Sequence, residues 1–378
     1  MQFRNIQLPA SQTGVDFGVE LVGCDLENLT EEQFKEIEKA VYTHQVLVIR
    51  NQSHVSPETQ YKLTKRFDPE VDTYGHGTSH QSKKSVIARD LSPLPGVPQV
   101  QLLGHGTVHN HHGIEERKLN HPSHRSFHQT QLSEEDEKAG KTRFYRWHMD
   151  AALYELNPPL ITTLFAVQTP EHRRELVVYD DGSDQSMDVQ LGTTAFISGA
   201  HAFDILSPEM KDLAFRTQVK YAAHPYLWIS KARAHSTGLG IVSEGRELPK
   251  EELPPIKEEA IKIYPMLWKN PVTGKIHLQV HPCAVEDLII DGKPVGDLNK
   301  VRELLYQIQR PAINPENILA HEWEDGDMVI FHNRGVLHSV VGSLRDDDKR
   351  IYHQCNLASA KEPEAPSEED RKPYILAH

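Results

Sequence analysis

Short apolar runs and stretches of alternating apolar and polar residues dominate the pattern along the chain. Residues 15–25 alternate, which predicts a pair of strands, and the apolar run within residues 44–50 predicts a buried strand. Two further apolar runs, at 160–167 and 176–179, predict more buried strands. We therefore expect a protein in which short strands supply most of the core.

Helical periodicity appears in a few segments. Thr30 is a suitable N-cap for a helix with apolar positions at helical spacing, and Ser56 followed by Pro57 predicts the start of a second helix. Residues 296–310 predict a third. Because short strands are many, helices are few and no strand–helix–strand repeat occurs, the predicted fold class is α+β and mainly β. We expect a double-stranded β-helix (jelly roll) core with flanking helices.

Residues 72–140 differ from the rest of the chain. They are rich in Gly, Pro, Ser and His and show little hydrophobic period, which predicts a long insertion rather than a core element. We expect this insertion to act as a lid over the active site of a single domain spanning residues 1–378. Gln99 and Gln101 alternate within it and are candidate substrate-binding amides, with an ordinary solvent-facing strand as the alternative.

Seven histidines fall between residues 105 and 128. Two interpretations are open, a second metal site and a solvated loop. The spacing is irregular and no cysteine accompanies these histidines, which favours the solvated loop.

The composition indicates a globular chain that binds a small molecule. The chain is 38% hydrophobic and 25% charged, and its net charge of -13 disfavours nucleic acid and anionic membrane as partners. Three widely spaced cysteines indicate neither a disulfide framework nor a zinc ribbon, and the sequence shows no signal peptide or membrane span. We expect a cytoplasmic protein, and assembly into a homo-oligomer is left open by the sequence.

Residues 146–150 place an imidazole and a carboxylate two positions apart. Side chains at i and i+2 of a strand share a face, so His148 and Asp150 can converge on one metal ion. His338, further along the chain, is the candidate third ligand. Two His and one carboxylate form the facial triad of non-haem Fe(II) oxygenases, and the same set can hold Zn2+ with a water. Two polar residues on a half-exposed strand are the remaining alternative for the His-x-Asp pair.

A hairpin is predicted between the strand that carries His338 and a strand at residues 349–358. In the predicted register, Arg350 and Gln354 lie on the same face as His338. Arginine suits a carboxylate because its planar guanidinium forms two parallel, charge-assisted hydrogen bonds. A surface ion pair between Arg350 and an aspartate of the turn at 345–348 is the alternative.

A set of residues spread over the second half of the chain forms one pattern. It consists of His148-x-Asp150, Gly326-Asp327, Asn333-Arg334, His338 and Arg350. The pattern resembles that of the Fe(II)/2-oxoglutarate-dependent dioxygenases of the taurine dioxygenase group. Residues 192–194 are similar to the segment of that family whose threonine helps to bind 2-oxoglutarate, and the resemblance covers most of the chain.

The resemblance implies a role for each of these residues. His148, Asp150 and His338 would bind Fe(II). Arg350 and Thr194 would hold the far carboxylate of 2-oxoglutarate, which acts as co-substrate together with O2.

Two positions depart from the family pattern. His332 stands where the family usually has Asp, and Gln354 stands where the sulfonate enzymes carry a second Arg, so a fixed anion is less expected as substrate. Gln354, Asn356, Gln99 and Gln101 offer donors and acceptors that suit the edge of a planar heterocycle. These amides and the insertion at 171–191 resemble the fungal xanthine dioxygenases of the group. That resemblance implies hydroxylation of xanthine to urate, with release of succinate and CO2, in purine catabolism.

Three alternatives remain open. The same chemistry could act on a sulfonate or an aryloxy acid. A zinc hydrolase would use the same metal ligands but would leave Arg350 and Thr194 without a ligand. A non-catalytic metal-holding scaffold would bind a small ligand without turnover.

Overall fold

The computed structural model describes residues 1–9, 11–77, 84–87 and 92–374. The strands, in chain order, are β1 Gln2–Asn5, β2 Val19–Val22, β3 Val46–Ile49, β4 Ser92–Leu94, β5 Val97–His111, β6 Ile114–Leu119, β7 Lys141–Thr142, β8 Ile161–Gln168, β9 Arg174–Val178, β10 Ser186–Gln190, β11 Thr194–Ser198, β12 Thr217–Tyr221, β13 Arg233–Ala234, β14 Ile241–Val242, β15 Ile263–Pro265, β16 Leu267–Lys269, β17 Ile276–Leu278, β18 Val285–Ile290, β19 Lys293–Pro294, β20 Leu319–His321, β21 Met328–His332, β22 Val336–Val340 and β23 Arg350–Asn356. The helices are α1 Glu31–His44, α2 Pro57–Arg66, α3 His124–Phe127, α4 Glu134–Lys138, α5 Gly199–Asp204, α6 Pro208–Phe215, α7 Pro225–Trp228, α8 Leu298–Gln309 and α9 Glu368–Arg371. Within these described ranges, no helix has both the length and the apolar character needed to cross a membrane.

Two facing sheets position the site. The larger has the strand order β1-β2-β3-β21-β8-β23-β5-β4, with β6 paired to the distal part of β5, and the smaller has the order β20-β11-β22. An apolar layer joins the two sheets. Within it, Phe196 of β11 packs edge-on against Phe331 of β21, with ring centroids 5.2 Å apart. The core of this part of the molecule therefore lies between the sheets, as expected for a double-sheet fold.

The first two long helices begin at the residues that the sequence predicts. The Thr30 hydroxyl accepts from the Gln33 backbone N–H, and the Gln33 side chain accepts from the Thr30 N–H, which completes a capping box. Ser56 caps α2, and Pro57 occupies its first turn. Both helices cover the outer face of the larger sheet with their apolar sides. The predicted third helix is confirmed as α8.

The sequence predicts a pair of strands within residues 15–25, and this prediction is wrong. This stretch forms one strand, β2, which pairs with β1 near the N-terminus and lies parallel to β3. Alternation in a sequence shows that a strand has one buried face but does not identify the neighbour with which it pairs.

The hairpin predicted between the His338 strand and the Arg350 strand is also wrong. His338 lies on β22, which pairs with β11 in the smaller sheet, whereas β23 lies between β8 and β5 in the larger one. The segment between β22 and β23 therefore crosses from one sheet to the other. Arg350 and Gln354 still point toward His338, because the two sheets face each other and alternate residues of β23 share a face.

Residues 97–111 are a strand rather than part of an irregular insertion. Val100 to His105 pairs with β23, and Val100 and Leu102 are fully buried. The alternation noted at Gln99 and Gln101 indicated a strand at this point, and the structure shows that the strand extends over Val97–His111. Residues 78–83 and 88–91 of the predicted 72–140 lid lie outside the described residues, and the lid role stays a prediction.

Candidate active site

His148, Asp150 and His338 converge between the two sheets. His148 and His338 exchange backbone hydrogen bonds of 3.0 and 2.8 Å, so their imidazoles lie side by side. The Nε2 atoms of His148 and His338 are 3.9 and 3.8 Å from Oδ1 of Asp150. Each residue thus offers one candidate ligand atom within 4.8 Å of the others. Ligands bonded at about 2.0–2.2 Å to a shared ion lie roughly 3 Å apart, so small shifts would close this set on one metal.

The backbone fixes the tautomer of His148. Its Nδ1 lies 2.8 Å from the carbonyl oxygen of Arg146 and donates to it, which leaves the Nε2 lone pair facing Asp150 and His338. A metal-binding histidine commonly makes this type of hydrogen bond, since it orients the ring and raises the basicity of the ligating nitrogen.

Asp150 is held at its carboxylate and at its backbone. The Thr162 hydroxyl donates to Oδ2 at 2.8 Å, and Nε2 of Gln354 donates to the same oxygen at 3.2 Å. Asn333 accepts from the Asp150 N–H at 2.8 Å and donates to the Asp150 carbonyl at 2.7 Å. This clamp gives a structural role to the Asn333 of the sequence pattern and leaves Oδ1 directed at the two histidines.

The ionisation states of the three residues suit metal binding. Burial lowers the pKa of His148 well below its usual value, with further lowering by His338, and burial lowers the pKa of His338 as well. Burial by itself disfavours the charged form of Asp150, but His338 and His76 outweigh it and hold the pKa of the carboxyl below its usual range. Two neutral imidazoles and one carboxylate are therefore present near neutral pH, which is the ligand form of each group.

A cavity opens beside the triad, and Arg350 lies on its wall. Arg350 is 2% exposed and stacks on the Tyr352 ring, with its guanidinium carbon 3.9 Å from the ring centroid. Among the described residues, its Nε and Nη1 have no hydrogen-bond partner. Asp348 pairs instead with Arg173 at 2.8 Å, so the surface ion pair considered for Arg350 is not formed with it. A buried guanidinium without a carboxylate partner is a site for an anionic ligand.

Thr194 lies on the same cavity at the start of β11. Its Oγ1 accepts a hydrogen bond from the indole Nε1 of Trp323 at 3.0 Å. The indole uses one lone pair of the hydroxyl, so the hydroxyl hydrogen remains available to donate to a ligand.

Of the four amides predicted to contact substrate, the structure places Gln354 on the described wall of the cavity. Gln101 donates to the backbone carbonyl three residues before it, at 2.7 Å, and is 1% exposed. Asn356 accepts from the Gly75 N–H at 3.1 Å and is fully buried. Gln99 is half-buried and lies away from the described wall. For Gln99, Gln101 and Asn356 the geometry does not support direct contact with a ligand in this cavity.

Three cationic or titratable residues on the wall have no role in the sequence pattern. His76 lies 3.6 Å from Asp150, and His121 also lines the cavity. Arg146 is 5% exposed and lies beside the rings of Tyr145 and Tyr226. Arg146 stands two residues before His148, so alternation along an extended segment could have predicted its position. His76 and His121 occur in irregular segments without a periodic signal.

The sequence assigns the chain to one family of enzymes. Residues 7–356 match the family described as "Taurine catabolism dioxygenase TauD, TfdA family". The chain belongs to this dioxygenase family, as the residue pattern predicts.

Two relatives are similar to this chain over most of its length. The chain is 53% identical over 372 residues to an alpha-ketoglutarate-dependent xanthine dioxygenase of Schizosaccharomyces pombe, covering 97% of this chain and 90% of the relative. It is 52% identical over 354 residues to the alpha-ketoglutarate-dependent xanthine dioxygenase of Emericella nidulans, covering 93% and 95%.

A solved structure shares the fold. A taurine dioxygenase from Burkholderia xenovorans superposes with a TM-score of 0.55 at 18% identity, covering 91% of this chain and 86% of that one. At this identity the likeness concerns the fold alone, and it confirms the predicted jelly-roll core.

Proposed function

We propose that this chain is an Fe(II)- and 2-oxoglutarate-dependent dioxygenase that converts xanthine to urate, with release of succinate and CO2. One observation carries the proposal: two histidines, a carboxylate and a buried arginine without a carboxylate partner meet in a single described cavity. The relatives that are named xanthine dioxygenases support the choice of substrate.

The metal would be held by His148, Asp150 and His338. This set occupies one side of an ion and leaves the other side open, which is the arrangement that non-haem Fe(II) oxygenases use. When bound, iron and 2-oxoglutarate supply the oxidising chemistry, in which O2 gives one oxygen atom to succinate and one to the purine. The protein itself supplies the orientation of both substrates and excludes water from the site.

Arg350 and Thr194 would bind the carboxylate of 2-oxoglutarate that lies farther from the metal. The guanidinium is buried and has no ion-pair partner among the described residues, so it can form a bidentate hydrogen bond without first breaking an internal ion pair. Thr194 adds a neutral donor at the same place. Tyr352 stacks beneath the guanidinium and limits its rotation, because the aromatic face attracts the cation.

Xanthine would occupy the part of the cavity between the triad and the Arg146 side. Arg146 can donate to a purine carbonyl oxygen, and Gln354 presents both a donor and an acceptor to the heterocycle edge. Leu103, Leu164 and Val340 give this wall an apolar component that suits the faces of a planar ring. These contacts would direct C8, the carbon that is oxygenated, toward the metal.

Turnover on a substrate panel tests this function. Anaerobic protein receives Fe(II), 2-oxoglutarate and ascorbate, then O2, with a purine, a sulfonate or an aryloxy acid, and succinate is measured. We expect xanthine to stimulate succinate formation and urate to appear in equal amount. If a sulfonate or an aryloxy acid stimulates succinate formation and xanthine does not, that compound class and not xanthine is the substrate. Absence of succinate with every compound would favour the hydrolase or the scaffold.

A further inference from the structure

A second group of histidines lies on the opposite face of β23 from the cavity. It consists of His111, His112 and His353, each of which offers one ring nitrogen within 4.8 Å of the others. Residues of β23 alternate between faces, so His353 points away from Arg350 and Gln354, toward the apolar layer that contains Ile351 and Cys355. The group is therefore separate from the active site, although the same strand serves both.

The β5–β6 hairpin brings two of these histidines to β23. The strand β5 pairs with β23 as far as His105 and with β6 from Gly106 onward, so its distal part leaves the large sheet. The hairpin then folds over the outer face of β23, where Val108 and Leu119 pack against Ile351. The metal-binding potential of this histidine-rich region is thus created by the folding of the hairpin and is not visible in the linear spacing.

A tight turn at the hairpin tip sets the orientation of the two histidines. His111 pairs with Ile114, which leaves His112 and Gly113 as a two-residue loop with φ of 44° and 87°. Two consecutive positive φ values define the type I′ turn that hairpins favour. His112 is exposed and His111 is half-buried, so the group is open to solvent where these two residues lie.

The ring nitrogens are close enough to share an ion. Nε2 of His111 lies 2.7 Å from Nε2 of His353, and the His111 and His112 ring centroids are 4.7 Å apart. Nitrogens bonded at about 2.0–2.1 Å to a tetrahedral ion lie roughly 3.3 Å apart. The His111 and His353 ring nitrogens would therefore have to separate by about 0.6 Å to admit a metal.

The protonation states of His111 and His353 favour the binding of a cation. Burial lowers the pKa of His353 to about 3, and burial followed by the charge of His112 lowers the pKa of His111. His353 is 2% exposed. Both rings are therefore neutral at pH 7, and between two neutral nitrogens 2.7 Å apart no more than one hydrogen can lie, so at least one lone pair is already directed into the group.

We propose that His111, His112 and His353 form a second divalent-metal site, with water completing a tetrahedral set. Three imidazoles without a carboxylate suit Zn2+, Ni2+ or Cu2+ and disfavour Mg2+ and Ca2+. Bound there, the ion fastens the β5–β6 hairpin to β23, the strand that carries Arg350 and Gln354. The proposal does not depend on the reaction catalysed at the other face.

Co2+ binding to an iron-site variant isolates this second site. In the full-length His148→Ala/Asp150→Ala protein, we expect one tightly bound Co2+ per chain, with the intense visible absorption of a tetrahedral ion. Adding His112→Gln removes an exposed ligand with little effect on folding. Loss of an outer-shell partner alone costs about 10–100-fold in metal affinity, so loss of this ligand should weaken binding by more than about 100-fold.

His109 provides the matched control, since it lies on the same hairpin, is exposed and pairs with Glu116 rather than with the group. In the same background, His109→Gln should bind Co2+ as tightly as its parent. The proposal is overturned if the iron-site variant binds no Co2+ with tetrahedral absorption, or if His112→Gln and His109→Gln have the same affinity. Zn2+ should also raise the midpoint of thermal unfolding of the iron-site variant and leave that of the added His112→Gln variant unchanged.

Discussion

The side-chain amide of Gln354 joins two parts of the active site: Nε2 lies 3.2 Å from Oδ2 of Asp150, and Oε1 accepts from the Tyr74 hydroxyl at 3.2 Å. Because the carboxylate can only accept, it must face the NH2 end of the amide, and the tyrosine hydroxyl then donates to the other end. Gln354 was predicted from the sequence as a substrate contact, and the structure adds that it also positions a candidate metal ligand. A change at this residue should therefore affect metal binding even when no substrate is present.

Replacing Gln354 by Leu tests this positioning role. The variant loses one hydrogen bond to a charged group, worth about 1.5–3 kcal/mol, so the Kd for Fe(II) should rise by roughly 10- to 100-fold. Anaerobic equilibrium dialysis without xanthine measures this effect. Gln99→Leu removes a half-buried amide from the neighbouring strand and should leave the Kd unchanged. If the two variants have equal Kd values for Fe(II), Gln354 does not position the metal ligand and only its proposed contact with substrate remains.

Arg350→Gln should impair binding of 2-oxoglutarate more than turnover. The buried guanidinium is the charge that we propose binds the co-substrate carboxylate. Losing one partner of a buried charged pair costs about 2–5 kcal/mol, so the KM for 2-oxoglutarate should rise at least about 30-fold. Steady-state kinetics at saturating xanthine measure this shift. Arg173→Gln removes a guanidinium that pairs with Asp348 outside the cavity and serves as control. An unchanged KM in the Arg350 variant would contradict the assignment.

Two substitutions test the role of the Thr194 hydroxyl. Thr194→Ser keeps the hydroxyl that accepts from Trp323, whereas Thr194→Val removes it. The same hydroxyl is the one that we propose donates to the co-substrate. Loss of a hydrogen bond to a carboxylate, worth about 1.5–3 kcal/mol, should raise the KM for 2-oxoglutarate at least about tenfold in the Val variant. The Ser variant should remain near the parent value. A rise of the same size in both variants would indicate a packing effect in place of a hydrogen bond.

The stability of the protein should fall in mild acid because His277 is buried in its neutral form. Burial lowers its pKa from 6.5 to about 4, and its Nδ1 donates to the Gly335 carbonyl at 3.1 Å. The unfolded chain therefore binds a proton first, so this contribution is complete above pH 6.5 and is lost between pH 6.5 and about 4. At pH 5 the loss from this residue should be about 2 kcal/mol.

Urea unfolding at pH 7.5 and pH 5.0 measures that loss. His277→Gln removes the titrating ring, so its free energy of unfolding should change by about 2 kcal/mol less between the two pH values than that of the parent. An identical pH dependence in both proteins would show that the His277 ring does not remain neutral in the folded state.

Local signals in the sequence predicted the starts of the helices and the shared face of two candidate metal ligands. Thr30 marks a helix start through chemistry confined to four residues, and His148 with Asp150 shares a face through simple alternation. The pairing of strands was harder to predict from the sequence. For example, β22 and β23 are consecutive in the chain yet belong to different sheets. Pairing between distant strands is decided by the packing of the whole core, which no short segment encodes.

The residues that the sequence missed owe their positions to such long-range packing. His76 reaches Asp150 from an irregular segment, and His111 reaches His353 because a hairpin folds back across the sheet. Both contacts join residues far apart in the chain, so no motif spacing could have indicated them. The alternation at Gln99 and Gln101 indicated a strand, but the surrounding glycines and histidines hid its full length.

Isotope labelling in a single turnover tests the central claim most directly. Protein loaded with Fe(II), 2-oxoglutarate and xanthine is exposed to 18O2, and the urate and succinate are analysed by mass spectrometry. We predict one 18O atom in each product, in equal amounts, and neither product from the Asp150→Ala protein. Urate that carries oxygen from water, or succinate labelled without urate formation, would contradict the assignment of this cavity to coupled oxygenation of xanthine.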